Sequence, residues 1–81
     1  MTYFTANGTV EECVESIVKN RPNVKTINLF KPVVNGDGDT FYDNFNFDVS
    51  SIPEDLKALQ VDRVGEDETK PETLDMFLIK A

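Results

Sequence analysis

Apolar side chains at Val10, Cys13, Val14, Ile17 and Val18 follow the i, i+3, i+4, i+7, i+8 spacing of one stripe on an α-helix. Thr9, with Glu12 three positions later, is a capping-box pair, so the helix begins just after Thr9. Glu11, Glu12 and Glu15 crowd its amino end while Lys19 and Arg21 sit at its carboxyl end, the arrangement the helix dipole favours. Pro22 has no backbone N–H to continue the ladder and ends the helix. Asn7-Gly8 reads as a turn, which leaves Thr2 to Thr5 as a short first strand.

Residues 24–34 are β-branched and apolar on both alternating sets, with Ile27, Leu29 and Val33 on one face and Val24, Phe30 and Val34 on the other. That pattern predicts a strand covered on both sides, or one that bends at Pro32, where a ladder donor is missing. Asn35-Gly36-Asp37-Gly38-Asp39 is a dense turn signal. After it, Phe41, Phe45, Phe47 and Val49 alternate with Tyr42, Asn44, Asn46 and Asp48, and only Asp43 interrupts the apolar set. A period of two predicts a hairpin with one aromatic inner face and one polar outer face.

Ser51-Ile52-Pro53-Glu54 repeats the capping logic and predicts a short second helix to about Gln60, burying Leu56 and Leu59. Val61 to Val64 reads as a brief strand ending at Gly65, the stretch 65–73 as a polar loop, and Leu74 to Lys80 as a central apolar strand. The predicted fold is therefore α+β: two layers, a mainly antiparallel sheet with two helices on one face, in the order β-α-β-β-α-β-β. This order resembles the split β-α-β, ferredoxin-like pattern.

The 81 residues fit one small domain spanning 1–81, without internal repeat or second core. No apolar run reaches the roughly 18–20 residues that span a bilayer. The start, Met1-Thr2-Tyr3-Phe4-Thr5, lacks the basic and apolar regions of a secretory signal, and the single cysteine precludes an internal disulfide. These features predict a cytoplasmic protein, in the host cytoplasm if the source is viral.

Charge changes the picture more than composition does. The formal net charge is −7, and it is unevenly spread: residues 1–34 hold three acids and four bases, residues 35–81 twelve acids and four bases. Without a basic cluster the chain has nothing with which to displace counterions from phosphates, so direct nucleic-acid binding is excluded, as is attraction to an anionic membrane. Such a field attracts cations and basic proteins.

Candidate chemistry is sparse. There is no histidine, so the usual proton-transfer side chain near neutral pH is missing. Cys13 lies within the apolar stripe among glutamates, which favours a buried thiol over a nucleophile. Paired carboxylates alone would need a deep aromatic cleft that 81 residues hardly build. No catalytic residue, metal site or cofactor is therefore assigned, and the chain is read as non-enzymatic. Asn35, Asp37, Asp39 and Asp43 do fall at positions 1, 3, 5 and 9 of an EF-hand-like register. However, Thr40 stands where the loop requires Gly and Asn46 where it requires a bidentate Glu, so calcium binding is only the third reading.

The first reading is recognition of a basic protein, such as a nucleic-acid-binding enzyme, through a negative surface. Same-face carboxylates on a strand stand about 6.6–6.8 Å apart, and a curved acidic rim of that spacing imitates a phosphate row. Candidates for the rim are Asp37, Asp39 and Asp43 on the hairpin and Asp62, Glu66, Asp67, Glu68 and Glu72 near the later loop, with Tyr42 as the aromatic anchor. In size, charge and lack of catalytic groups the chain looks like the small acidic inhibitors that phages direct against host nucleases or polymerases. The second reading is a structural subunit of a larger, viral complex that self-associates through an exposed edge strand or apolar patch. Every one of these readings depends on the carboxylates from Asn35 onward converging in space into one shared anionic patch.

Overall fold

The computed structural model describes residues 2–79. Lys80, the outer end of the expected last strand, lies outside the described residues, as do Met1 and Ala81 at the ends of the expected domain. The elements are β1 (Thr2–Thr5), α1 (Val10–Asn20), β2 (Thr26–Val34), β3 (Thr40–Asp48), β4 (Val61–Glu66) and β5 (Thr73–Leu78). The strands form one mixed sheet in the order β1-β4-β5-β2-β3, antiparallel throughout except for the parallel β2–β5 pair.

Helix α1 forms where its periodicity places it. Thr9 Oγ1 accepts from the Glu12 N–H (3.3 Å) and Glu12 Oε1 accepts from the Thr9 N–H (3.1 Å), closing the capping box. Val10, Cys13, Val14 and Ile17 are buried against Ile27 and Leu29 of β2, Phe47 of β3, Val61 and Val64 of β4, and Leu74, Met76 and Leu78 of β5. One face of the sheet and one stripe of the helix thus make the core. Strand β5 is central, as its run of large apolar residues predicts, and alternation sets Leu74, Met76 and Leu78 inward.

The expected second helix is absent, so the two-helix order and the ferredoxin-like pattern are incorrect: the sheet carries one helix. Residues 53–59 form consecutive turns, with Leu56 N–H donating to the Pro53 carbonyl (3.0 Å) and Leu59 N–H to the Leu56 carbonyl (3.2 Å). The physical reason lies in where the carbonyls go. Leu59 O accepts from Val10 N–H (2.9 Å) and Lys57 O from Glu11 N–H (3.2 Å), so this segment satisfies first-turn donors of α1 that have no partner within the helix. A segment of seven residues is also too short to offset the cost of helix nucleation. Leu56 is nevertheless buried, with Ile52 and Leu59 packed beside the core.

Two other expectations change. Strand β2 runs through Pro32, which pairs with Tyr42, and the sheet is covered on one face only. The phenyl rings of the β3 inner face are not all core: Phe47 is buried, but Phe41 is 47% exposed and Phe45 41%. β3 is an outer strand, and β5 accompanies β2 only from Thr26 to Phe30. Lys31–Val34 and Thr40–Asp43 therefore continue as a two-stranded arm past the last β2–β5 pair.

Candidate interaction surface

On the face of the sheet opposite α1, the side chains left pointing outward by alternation are Phe30 and Asn28 on β2, Phe77 and Asp75 on β5, Arg63 on β4, Tyr3 on β1 and Tyr42 on β3. The register brings them together. Phe30 lies level with Phe77, Arg63 level with Phe77 on the other side, and Tyr42 one strand beyond, across from Pro32.

The four rings form a connected cluster. Phe30 and Phe77 stack with centroids 4.8 Å apart and planes at 14°. Tyr42 meets both edge-on, at 6.5 Å from Phe30 and 6.2 Å from Phe77, and Tyr3 meets Phe77 at 5.9 Å. The Arg63 guanidinium lies over Phe77 at 4.3 Å and over Tyr3 at 5.5 Å, and it donates to Asp62 Oδ2 at 3.1 Å. Beside the rings, Asn28 Nδ2 donates to Asp75 Oδ1 (3.1 Å). No described element covers this face; Tyr3 is 52% exposed and Tyr42 49%. Aromatic faces attract apolar groups and cations, and here Phe77 is already stacked on Phe30 and lies under Arg63, which leaves the two tyrosines as the more open rings.

Among the residues singled out in the sequence, Tyr42 sits within this cluster. The acids do not assemble with it into one rim. Asp37, Asp39 and Asp43 lie at or beside the tip of the β2–β3 arm, where Asp43 stands across from Lys31. Glu66, Asp67, Glu68 and Glu72 lie at the opposite end of β2, since the Glu72 carbonyl accepts from the N–H groups of Lys25 and Thr26 (2.8 and 3.1 Å). Measured along β2, Asp37 and Asp39 beyond Val34 stand its full length, about 26 Å, from Glu72, while Asp43, level with Lys31, is about 13 Å from the level of Glu66 at Ile27. Asp62 stands apart from both, at the other end of β4 from Glu66.

Several of these carboxylates are also neutralised in place. Glu66 pairs with Arg21 (2.6 Å), Glu72 with Lys25 (3.7 Å) and Asp62 with Arg63 (3.1 Å). The Thr69 hydroxyl and N–H donate to Asp67 (2.7 and 3.0 Å), and these bonds hold its carboxyl below the usual aspartate range. The Asn35 side chain is likewise occupied: Oδ1 accepts from the N–H groups of Asp37 and Asp39, both at 3.0 Å, and Gly38 takes φ 84° to close the loop. Among the described residues no cluster of three or more His, Cys, Asp or Glu could hold a metal ion. Cys13 is buried, and desolvation, with Glu12 adding to it, pushes its thiol pKa up.

Tyr3, Phe30, Arg63 and Phe77 were not among the residues the sequence singled out. The available signal is in β5, where Leu74, Met76 and Leu78 already account for an inward face and leave Phe77 on the outward one. No protein-family model, curated protein or solved structure shows a significant match to the chain. Among the described residues no helix is long and apolar enough to cross a membrane.

Proposed function

We propose that this chain is a non-enzymatic protein-binding module that takes a basic, arginine-bearing segment of its partner on the open face of the sheet. The observation that carries this reading is the contiguous Tyr3–Phe77–Phe30–Tyr42 cluster on an uncovered face. A surface of half-exposed rings in an acidic protein combines cation–π attraction with apolar contact. The net charge of −7 speeds encounter with such a partner, while the rings supply the short-range affinity. Division of the carboxylates between two ends of the sheet removes support from imitation of a continuous phosphate row. An inhibitor acting through the ring face instead would occupy a basic protein without that imitation. A nucleic-acid ligand is disfavoured, because Arg63 is the sole cation of the cluster and the whole field repels phosphate.

The test is calorimetry against a short arginine–glycine peptide and against a glutamate–glycine peptide of equal length. Binding of the first alone, weakened as ionic strength rises and weakened further in Tyr42→Ser and Tyr3→Ser, supports the reading. Equal binding of both, or affinity indifferent to the two tyrosines, contradicts it.

A second reading, an assembly subunit, is favoured by the projecting arm, on which Val34 and Phe41 are exposed, and by the exposed Phe45 beside it on the outer strand.

A further inference from the structure

Strand β3 is a long, exposed edge. It is nine residues long, lies at the end of the sheet, and pairs with β2 in unbroken register. Its sequence, TFYDNFNFD, contains no proline or lysine, two of the devices that commonly keep an edge from pairing with another chain, and its one helix-side charge is Asp43. The other edge, β1, is only four residues long.

We propose that a second copy of this chain pairs with β3 about a two-fold axis, antiparallel and centred on Asn44, to make a continuous ten-stranded sheet. Pairing the full strand with itself fixes that centre, because Thr40 must then meet Asp48 of the second copy. Phe41 meets Phe47, Tyr42 meets Asn46, Asp43 meets Phe45, and the two Asn44 amides face each other. Odd-numbered residues fall on the helix side of both copies, so the exposed Phe41 and Phe45 join the second copy's phenyl row. Even-numbered residues give a polar row of Thr, Tyr, Asn and Asp on the other side. No carboxylate stands opposite another. The two nearest registers that also preserve the faces, centred on Asp43 and on Phe45, each shorten the pairing from nine residues to seven, and the first also sets the two Asp43 carboxylates directly opposite. This self-complementarity of apolar row and charge is what selects a second copy over an unrelated strand, and an isologous contact of this kind closes as a dimer. The inference is independent of the ligand proposed for the open face, since the pairing runs along the edge.

Sedimentation equilibrium between about 1 µM and 1 mM, in about 0.1 M and 0.5 M salt, tests it. The expected result is a species of twice 9.1 kDa that forms more readily at the higher salt, where repulsion between two chains of charge −7 is screened. Asn44→Asp places two carboxylates face to face at the axis and should weaken the dimer by about tenfold or more, while Asn44→Ser leaves it within about threefold. Asn44 is exposed, and far-ultraviolet circular dichroism confirms that both variants keep the fold. A 9.1 kDa species under every condition, or a dimer indifferent to Asn44→Asp, overturns the proposal. Peptide binding at the open face is measured separately on the wild-type chain, because Asn44 stands across from Phe30 on that face.

Discussion

Phe30 and Phe77 stack across the parallel β2–β5 pair, 4.8 Å between centroids, on the side of the sheet that α1 does not touch. Each ring is half-buried by its neighbours, so the cluster stabilises the sheet as well as presenting a surface. Phe77 contacts all three other rings and Arg63. Phe77→Ala should therefore cost about 1–3 kcal/mol, less than a fully buried phenylalanine, measured by urea denaturation. The tyrosines at the margin stand more in solvent, and Tyr42→Ser should cost under about 1 kcal/mol. A Tyr42 variant as destabilised as Phe77→Ala would mean that the rings are a second core and not a surface.

The amino end of α1 depends on local chemistry. Removing the Thr9 hydroxyl in Thr9→Ala leaves the Glu12 N–H without its side-chain acceptor, and a loss of about 1 kcal/mol is expected. Gly8 precedes it at φ 128°, and an added Cβ would lie 3.3 Å from Glu12 Oε1. Gly8→Ala should consequently cost about as much as the capping variant or more, through strain and disturbance of the same carboxylate. Thermal melts of both variants measure this.

Arg21 is held twice, by Glu66 at 2.6 Å and by the ring of Phe4 at 4.9 Å. Both charged groups remain substantially solvated, so the ion pair itself is worth under about 1 kcal/mol. Arg21→Ala should destabilise more than Glu66→Gln, because it removes the stacking as well. A double-mutant cycle with Phe4→Leu separates the two contributions.

The thiol of Cys13 is raised from its ordinary 9.0, by burial first and by Glu12 second. The folded state therefore holds its proton to higher pH than the unfolded chain does. This contribution to stability is complete below the unfolded value and is lost as pH rises through and above about 9. Thiol reagents at pH 8 should react with native protein far more slowly than with protein in urea. Equal rates would place Cys13 at the surface.

What could be read from the sequence was whatever is encoded within one element. The stripe Val10–Val18 with its Thr9–Glu12 cap marks α1, and the alternation of Phe41 to Asp48 marks β3. The second helix failed because Lys57 and Leu59 direct their carbonyls to α1, a commitment made by distant residues. The open ring cluster was hidden for the same kind of reason: Tyr3, Phe30, Tyr42, Arg63 and Phe77 come from five different strands, and only sheet order brings them together. Nor does alternation reveal that Phe41 lies where the sheet narrows to two strands, or that Phe45 lies on its outer strand.

The most direct test is to map amide chemical shifts in the ¹⁵N-labelled protein during titration with the arginine–glycine peptide. Shifts concentrated on Tyr3, Phe30, Tyr42, Arg63 and Phe77, with the α1 amides unmoved, are the predicted result. Shifts confined to the acidic ends around residues 37–43 and 66–72, with the ring-bearing strands silent, would contradict it.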